Sequence, residues 1–186
     1  MSPLYQIQHH LQTAGNKSST EFFQKMVPGE QKSYGVKSPV LNELAKRYSA
    51  HSFALAEELW KAGALEEKII AIKIIERMGK KEPAKVLPLF RKFAKQIDNW
   101  AVCDGLGMQF LRGIVKTHPK EIFELAFKYK DSKDPWQRRL SLVMVEWYTR
   151  DKAMHADIRK LVMALDRDEE YYVKKAVAWI KRNLGS

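Results

Sequence analysis

The chain has 186 residues, 45% hydrophobic and 30% charged, a balance that suits one folded domain with a full core. It carries 33 Lys and Arg against 22 Asp and Glu, so the net charge is +11, spread along the chain rather than gathered in a tail. No apolar run reaches 18 residues, and MSPLYQIQHHLQ at the start lacks the basic flank and apolar core of a signal peptide, so neither a membrane span nor a leader is expected.

One cysteine, Cys103, excludes an internal disulfide framework and fits a reducing compartment, which points to a cytoplasmic protein. The histidines His9, His10, His51, His118 and His155 are scattered, no Cys/His spacing suggests zinc, and His9–His10 reads as a solvated helix surface. Basicity spread over a folded domain favours a polyanion partner, with nucleic acid ahead of an acidic membrane surface.

Taken in chain order, every long segment reads as helix. Apolar residues recur three and four apart in VLNELAKRY (40–48), EEKIIAIKIIERM (66–78), KVLPLFRKFAKQI (85–97), WQRRLSLVMVEWY (136–148) and YVKKAVAWIKRNL (172–184). No stretch alternates cleanly between turn residues, so no strand is expected. Ser38-Pro39 reads as an N-cap followed by a first-turn proline, Asp134-Pro135 repeats the device, and Asp98 is placed to cap the helix after it. Gly63 and Gly79 mark helix ends.

The helix starts recur. GALEEKIIAIKIIERM begins at 63, DNWAVCDGLGMQFLR at 98, DPWQRRLSLVMVEWY at 134 and DEEYYVKKAVAWIKR at 168, which is 35, 36 and 34 residues apart. Second helices lie between them: PAKVLPLFRKFAKQI, PKEIFELAFKYK and MHADIRKLVMAL. A period in the mid-thirties built from two helices indicates an all-α solenoid of HEAT-like helix pairs, curved, with a basic concave face, in one domain over 1–186. If the recurrent helices line the concavity, they place Trp100 and Asp104, then Trp136, Arg138 and Arg139, then Tyr171, Tyr172, Lys174, Lys175 and Trp179 on that wall.

Each of these residues has a structural reading beside the functional one. Trp100 and Asp104 are four apart and share a helix face. Aspartate is a poor mid-helix residue, and Gly105 and Gly107 each cost about 1 kcal/mol against alanine, so the stretch implies close approach of another group. Asp104 also fits a solvated acid or a partner for a neighbouring arginine. Arg139 lies among LSLVMVEW, so its stem is expected to be buried and its fork to meet a carboxylate or a phosphate; Arg138 is expected to be exposed. Tyr172, Ala176 and Trp179 form one stripe that fits an aromatic core, yet Lys174, Lys175, Lys181 and Arg182 beside it also describe a nucleic-acid surface. Trp60 and Trp147, without polar company, read as core, and Cys103 as a small buried apolar residue. No glycine-rich phosphate loop and no Ser/His motif is present.

The set GVKSPVLNELAKRY (35–48), DNWAVCD (98–104), WQRRLSL (136–142) and YYVKKAVAWIKR (171–182) resembles the AlkD-like DNA alkylation repair proteins, which are HEAT-like-repeat DNA glycosylases. The resemblance runs from about residue 20 onward, with four motifs in order. It implies a monofunctional enzyme of base excision repair that hydrolyses the N-glycosidic bond of positively charged N3- and N7-alkylated purines in duplex DNA, without the tight flipped-base pocket of most glycosylases. It implies Asp104 as the catalytic carboxylate, Trp100 and Trp179 as the cleft tryptophans, and Arg139 as the site arginine, holding a phosphate beside the lesion. Lys37, Arg138, Tyr172, Lys174 and Lys175 are then candidate DNA contacts. No metal or cofactor is implied; the partner is alkylated double-stranded DNA, with no membrane, and the protein is expected to act as a monomer that meets the nucleoid. Two departures stand out: the family's N-terminal cleft aromatic falls near Met26, and the family's last helices have no counterpart after KRNLGS. A non-catalytic DNA-structure binder on the same fold, or a protein-binding HEAT scaffold, are the alternatives.

Overall fold

The computed structural model describes residues 1–27 and 32–185, with the side chains of His51 and Ser52 outside that description. The described residues are helical and contain no strand. The helices are α1 (Pro3–Ala14), α2 (Lys17–Met26), α3 (Ser38–Tyr48), α4 (Ser52–Ala62), α5 (Leu65–Met78), α6 (Pro83–Phe93), α7 (Trp100–Met108), α8 (Pro119–Tyr129), α9 (Pro135–Val143), α10 (His155–Leu165) and α11 (Tyr171–Asn183). Tighter 3₁₀ turns follow α7 and α9 at Phe110–Gly113 and Glu146–Arg150.

The recurrent helix starts of the sequence become one row. Helix α5 packs on α7, α7 on α9, and α9 on α11. The second helices stand behind it: α8 packs on α9, α10 on α9 and α11, and α6 on the Phe110–Gly113 turn. This is the all-α solenoid of HEAT-like pairs that the mid-thirties period predicts. Its apolar residues join in one contiguous core that runs from Ile7 to Leu184. Cys103 is fully buried in it, as expected of a small apolar residue. No helix among the described residues is long and apolar enough to cross a membrane.

Helix starts follow local chemistry, with two corrections. Asp134 caps α9 by accepting from the Trp136 N–H at 2.9 Å. Helix α7, however, is capped by Asn99, whose side chain accepts from the Val102 N–H at 2.9 Å; Asp98 stands one residue too far out and turns to the Lys68 ammonium at 2.9 Å. Ser38 is already the first residue of α3, and Lys37 occupies the cap position without a side-chain bond. Gly63, at φ 92°, ends α4 as expected.

The glycines after Asp104 mark how closely the row is packed. A Cβ on Gly107 would sit 2.6 Å from Val143 Cγ1 and 2.9 Å from the Met144 nitrogen, so α9 lies against the α7 backbone. A Cβ on Gly105 would meet only the end of Ile72, at 3.0 Å from its Cδ1. Alanine gains about 1 kcal/mol of helix propensity at either position. At Gly107 that gain is overcome, because backbone atoms cannot swing away as a side-chain tip can. Gly107→Ala is expected to cost about 1–3 kcal/mol net, while Gly105→Ala stays within about 1 kcal/mol of the parent; urea unfolding of the two variants checks the contrast.

Candidate active site

Helix α7 brings Trp100 and Asp104 to the row one turn apart. Trp100 is the first helical residue, half-buried, and its indole Nε1 donates to the Met26 carbonyl at 3.0 Å. That bond ties the end of α2 to the start of α7 and fixes the plane of the ring. The position where the resemblance places a cleft aromatic is therefore beside Trp100, but it presents a carbonyl and an exposed methionine side chain.

Asp104 meets Arg139 from the next repeat, 35 positions on. Asp104 Oδ1 accepts from Arg139 Nε at 3.0 Å and Nη2 at 2.8 Å, and Oδ2 accepts from Nη2 at 2.9 Å. The remaining Arg139 nitrogen, Nη1, donates to the Tyr172 carbonyl of α11 at 2.6 Å. One guanidinium thus joins α7, α9 and α11. It is buried, at 6% exposure, whereas the Asp104 side chain keeps 25%. Burial raises the Asp104 carboxyl above its ordinary value, and the charge and hydrogen bonds of Arg139 pull the other way. The outcome is an oriented, partly desolvated carboxylate with an open side. Burial also raises the neighbouring Cys103 thiol well above its ordinary value, which leaves it unactivated.

Two arginine expectations need correction. Arg139 does not extend toward solvent where a phosphate could lie: each of its nitrogens is committed to Asp104 or to the Tyr172 carbonyl. Arg138 is not exposed either. Its Nε and Nη2 bond to Asp168 at 2.6 and 3.3 Å, and its Nη1 to the carbonyls of Ser132 and Lys133. Asp168 is likewise almost covered; burial raises its carboxyl, but the bonds to Arg138 and the Glu170 N–H hold it below its ordinary value.

The rest of the predicted wall is partly assembled. Trp136 packs on Tyr172, with ring centroids 5.1 Å apart, and both are half-buried. Tyr171 is exposed, with the Lys175 ammonium 5.2 Å from its ring centroid. Trp179 is half-buried seven residues on from Tyr172 along α11, while Ala176 between them is fully buried. Lys37, Lys174 and Lys175 are exposed. Trp60 is core, stacked on Phe93 at 4.0 Å, but neither tryptophan lacks polar company: the Lys68 ammonium lies 5.7 Å from the Trp60 ring centroid and Trp60 Nε1 donates to Gln96, while Arg112 and Arg150 both lie over Trp147.

Sequence reading missed two acids that shape the neighbourhood. Glu66, 1% exposed, accepts from the Ser33 hydroxyl and from the N–H groups of Tyr34, Gly35 and Val36 at 2.8–3.2 Å. Glu67 accepts from the Ala64 N–H, Gln8 and the Tyr34 hydroxyl; burial and that carboxylate push the Tyr34 phenol up to about 12. Together they pin the segment just before Lys37. The available signal was GVK, since Gly35 adopts φ 72° and a Cβ there would lie 2.2 Å from the Asn16 carbonyl.

Stacked helix pairs, with one guanidinium bridging three of them, define a HEAT-like solenoid whose recurrent-helix row carries the candidate site. The chain belongs to the DNA alkylation repair enzyme family, whose model matches residues 7–186. A solved structure described as a predicted DNA alkylation repair enzyme from Enterococcus faecalis is similar in fold, with a TM-score of 0.77 at 17% identity, covering 92% of this chain and 83% of that one. Comparison with curated proteins gave no match.

The ion pair can be tested by stability alone. Arg139→Gln strands the Asp104 charge and is expected to cost about 3 kcal/mol. Adding Asp104→Asn removes that charge, so the double variant should be more stable than Arg139→Gln by chemical denaturation.

Proposed function

We propose that the protein is a DNA glycosylase that releases positively charged N3- and N7-alkylated purines from duplex DNA. The observation that carries the proposal is the Asp104 carboxylate, held by three hydrogen bonds from Arg139 yet left open on one side, a turn away from a tryptophan with a fixed ring. Membership of the alkylation repair family supports DNA as the substrate.

The chemistry follows from charge. An N3- or N7-alkylated purine is cationic, so when the C1′–N9 bond breaks its electron pair neutralises the base, which leaves readily. Positive charge passes to the deoxyribose as an oxocarbenium ion. A preorganised carboxylate stabilises that ion without having to reorient during the reaction. It also holds the water whose oxygen bonds to C1′ and receives the proton that water gives up. The faces of Trp100 and Trp179 favour a nearby cation over a neutral group. Arg139 acts as a positioning residue for Asp104 rather than as a phosphate clamp, and the exposed Lys37, Lys174 and Lys175 are the proposed backbone contacts.

The test is base release from duplex DNA containing N7-methylguanine. The parent is expected to release the base, and Asp104→Asn to lose about 10²–10³-fold in single-turnover rate, as for other preorganised electrostatic groups. A parent that binds the duplex but releases nothing would assign the molecule to binding alone.

A further inference from the structure

The register that pairs Asp104 with Arg139 continues beyond the ion pair. Asp104 and Met108 are four apart on α7, and Arg139 and Val143 repeat that spacing on α9; Arg112 and Trp147 follow four residues later, in the 3₁₀ turns that end the two helices. The Asp104–Arg139 row is followed by the close approach at Gly107 and Val143, and then by Arg112 over Trp147. Arg112 Cζ lies 5.0 Å from the Trp147 ring centroid, and Arg150 Cζ lies 5.3 Å from it. The ring is fixed in turn, because Trp147 Nε1 donates to the Met108 carbonyl at 2.8 Å.

Neither guanidinium is buried: the Arg112 side chain is 55% exposed and that of Arg150 63%. Stacking on an indole orders a guanidinium while leaving its N–H edge able to meet an anion. Arg112 pairs with Glu76, and Arg150 with Glu146, which also accepts from Asn183. Lys73 and Arg77 add two more cations on the Arg112 side. Lys73, which donates to Gln109, senses this field: burial lowers its pKa first, and Arg77 and Arg112 lower it further against the pull of Glu76. The acids hold the arginines in place from the protein side, while the guanidiniums, more than half exposed, keep N–H edges that a phosphate oxygen can meet.

We infer that Arg112 and Arg150, ordered on Trp147 in the turns that follow α7 and α9, form a station that grips the DNA backbone away from Asp104. Both residues lie outside the motifs that carry the family resemblance. The inference rests on the DNA reading above and adds a place where the duplex is held away from the reacting base. Phosphate contacts position without reading sequence, so the station should serve damaged and undamaged DNA alike.

The experiment is duplex binding by fluorescence anisotropy over a range of salt, with N7-methylguanine and undamaged duplexes side by side. The slope of log affinity against log salt should become shallower by about 0.9 in Arg112→Gln and by about twice that when Arg150→Gln is added, equally on both duplexes. The single variant decides the matter if removing Arg150 from buried Glu146 unfolds the double. An unchanged slope in a parent that binds DNA overturns the station and leaves the glycosylase proposal standing. A parent without salt-dependent affinity overturns both. A parent that binds and shows the expected slopes but releases no base sinks only the glycosylase proposal.

Discussion

The Arg139 guanidinium is the point on which the site depends. It is a buried cation with two kinds of acceptor, a carboxylate from the preceding repeat and a backbone carbonyl from the following one. Burying such a group without partners is prohibitively costly, so its position fixes the relative placement of α7, α9 and α11. The same constraint explains why a carboxylate stands in the middle of an otherwise apolar helix. Asp104 is costly for α7 in isolation and necessary once α9 is packed against it.

Close packing and charge support each other here. Gly107 lets α9 approach the α7 backbone, and that approach brings the Arg139 fork within hydrogen-bond distance of Asp104. Trp100, one turn before Asp104, is held at the other end by the Met26 carbonyl, so its ring cannot turn freely. The result is a site whose parts are oriented before any substrate arrives, which is what electrostatic stabilisation of a short-lived cation requires.

Much of the fold was legible in the sequence, because helix periodicity and the recurrence of helix starts are local signals. The period between 63 and 168 anticipated the row of α5, α7, α9 and α11, and the pairing of Asp104 with an arginine was among the readings that spacing left open. Cap positions were less legible: Asp98 and Ser38 each stand one residue from the position assigned to them, a distance that spacing cannot resolve. What could not be read were the partners of long side chains. Arg138 was expected in solvent and is held by Asp168, and Trp147 was expected without polar company and lies beneath two arginines. Glu66 and Glu67 drew no reading in the sequence, yet both are buried and hold a segment more than thirty positions away.

The central claim is that the Asp104 charge carries the chemistry from a partly buried position. The most direct measurement is the pH dependence of single-turnover release of N7-methylguanine at saturating protein. The account predicts a rate that falls as acid protonates Asp104, with the limb at a pH above the ordinary aspartate value because burial raises that carboxyl, and no such limb in Asp104→Asn. A rate that stays flat through that range, or an identical limb in Asp104→Asn, would contradict it.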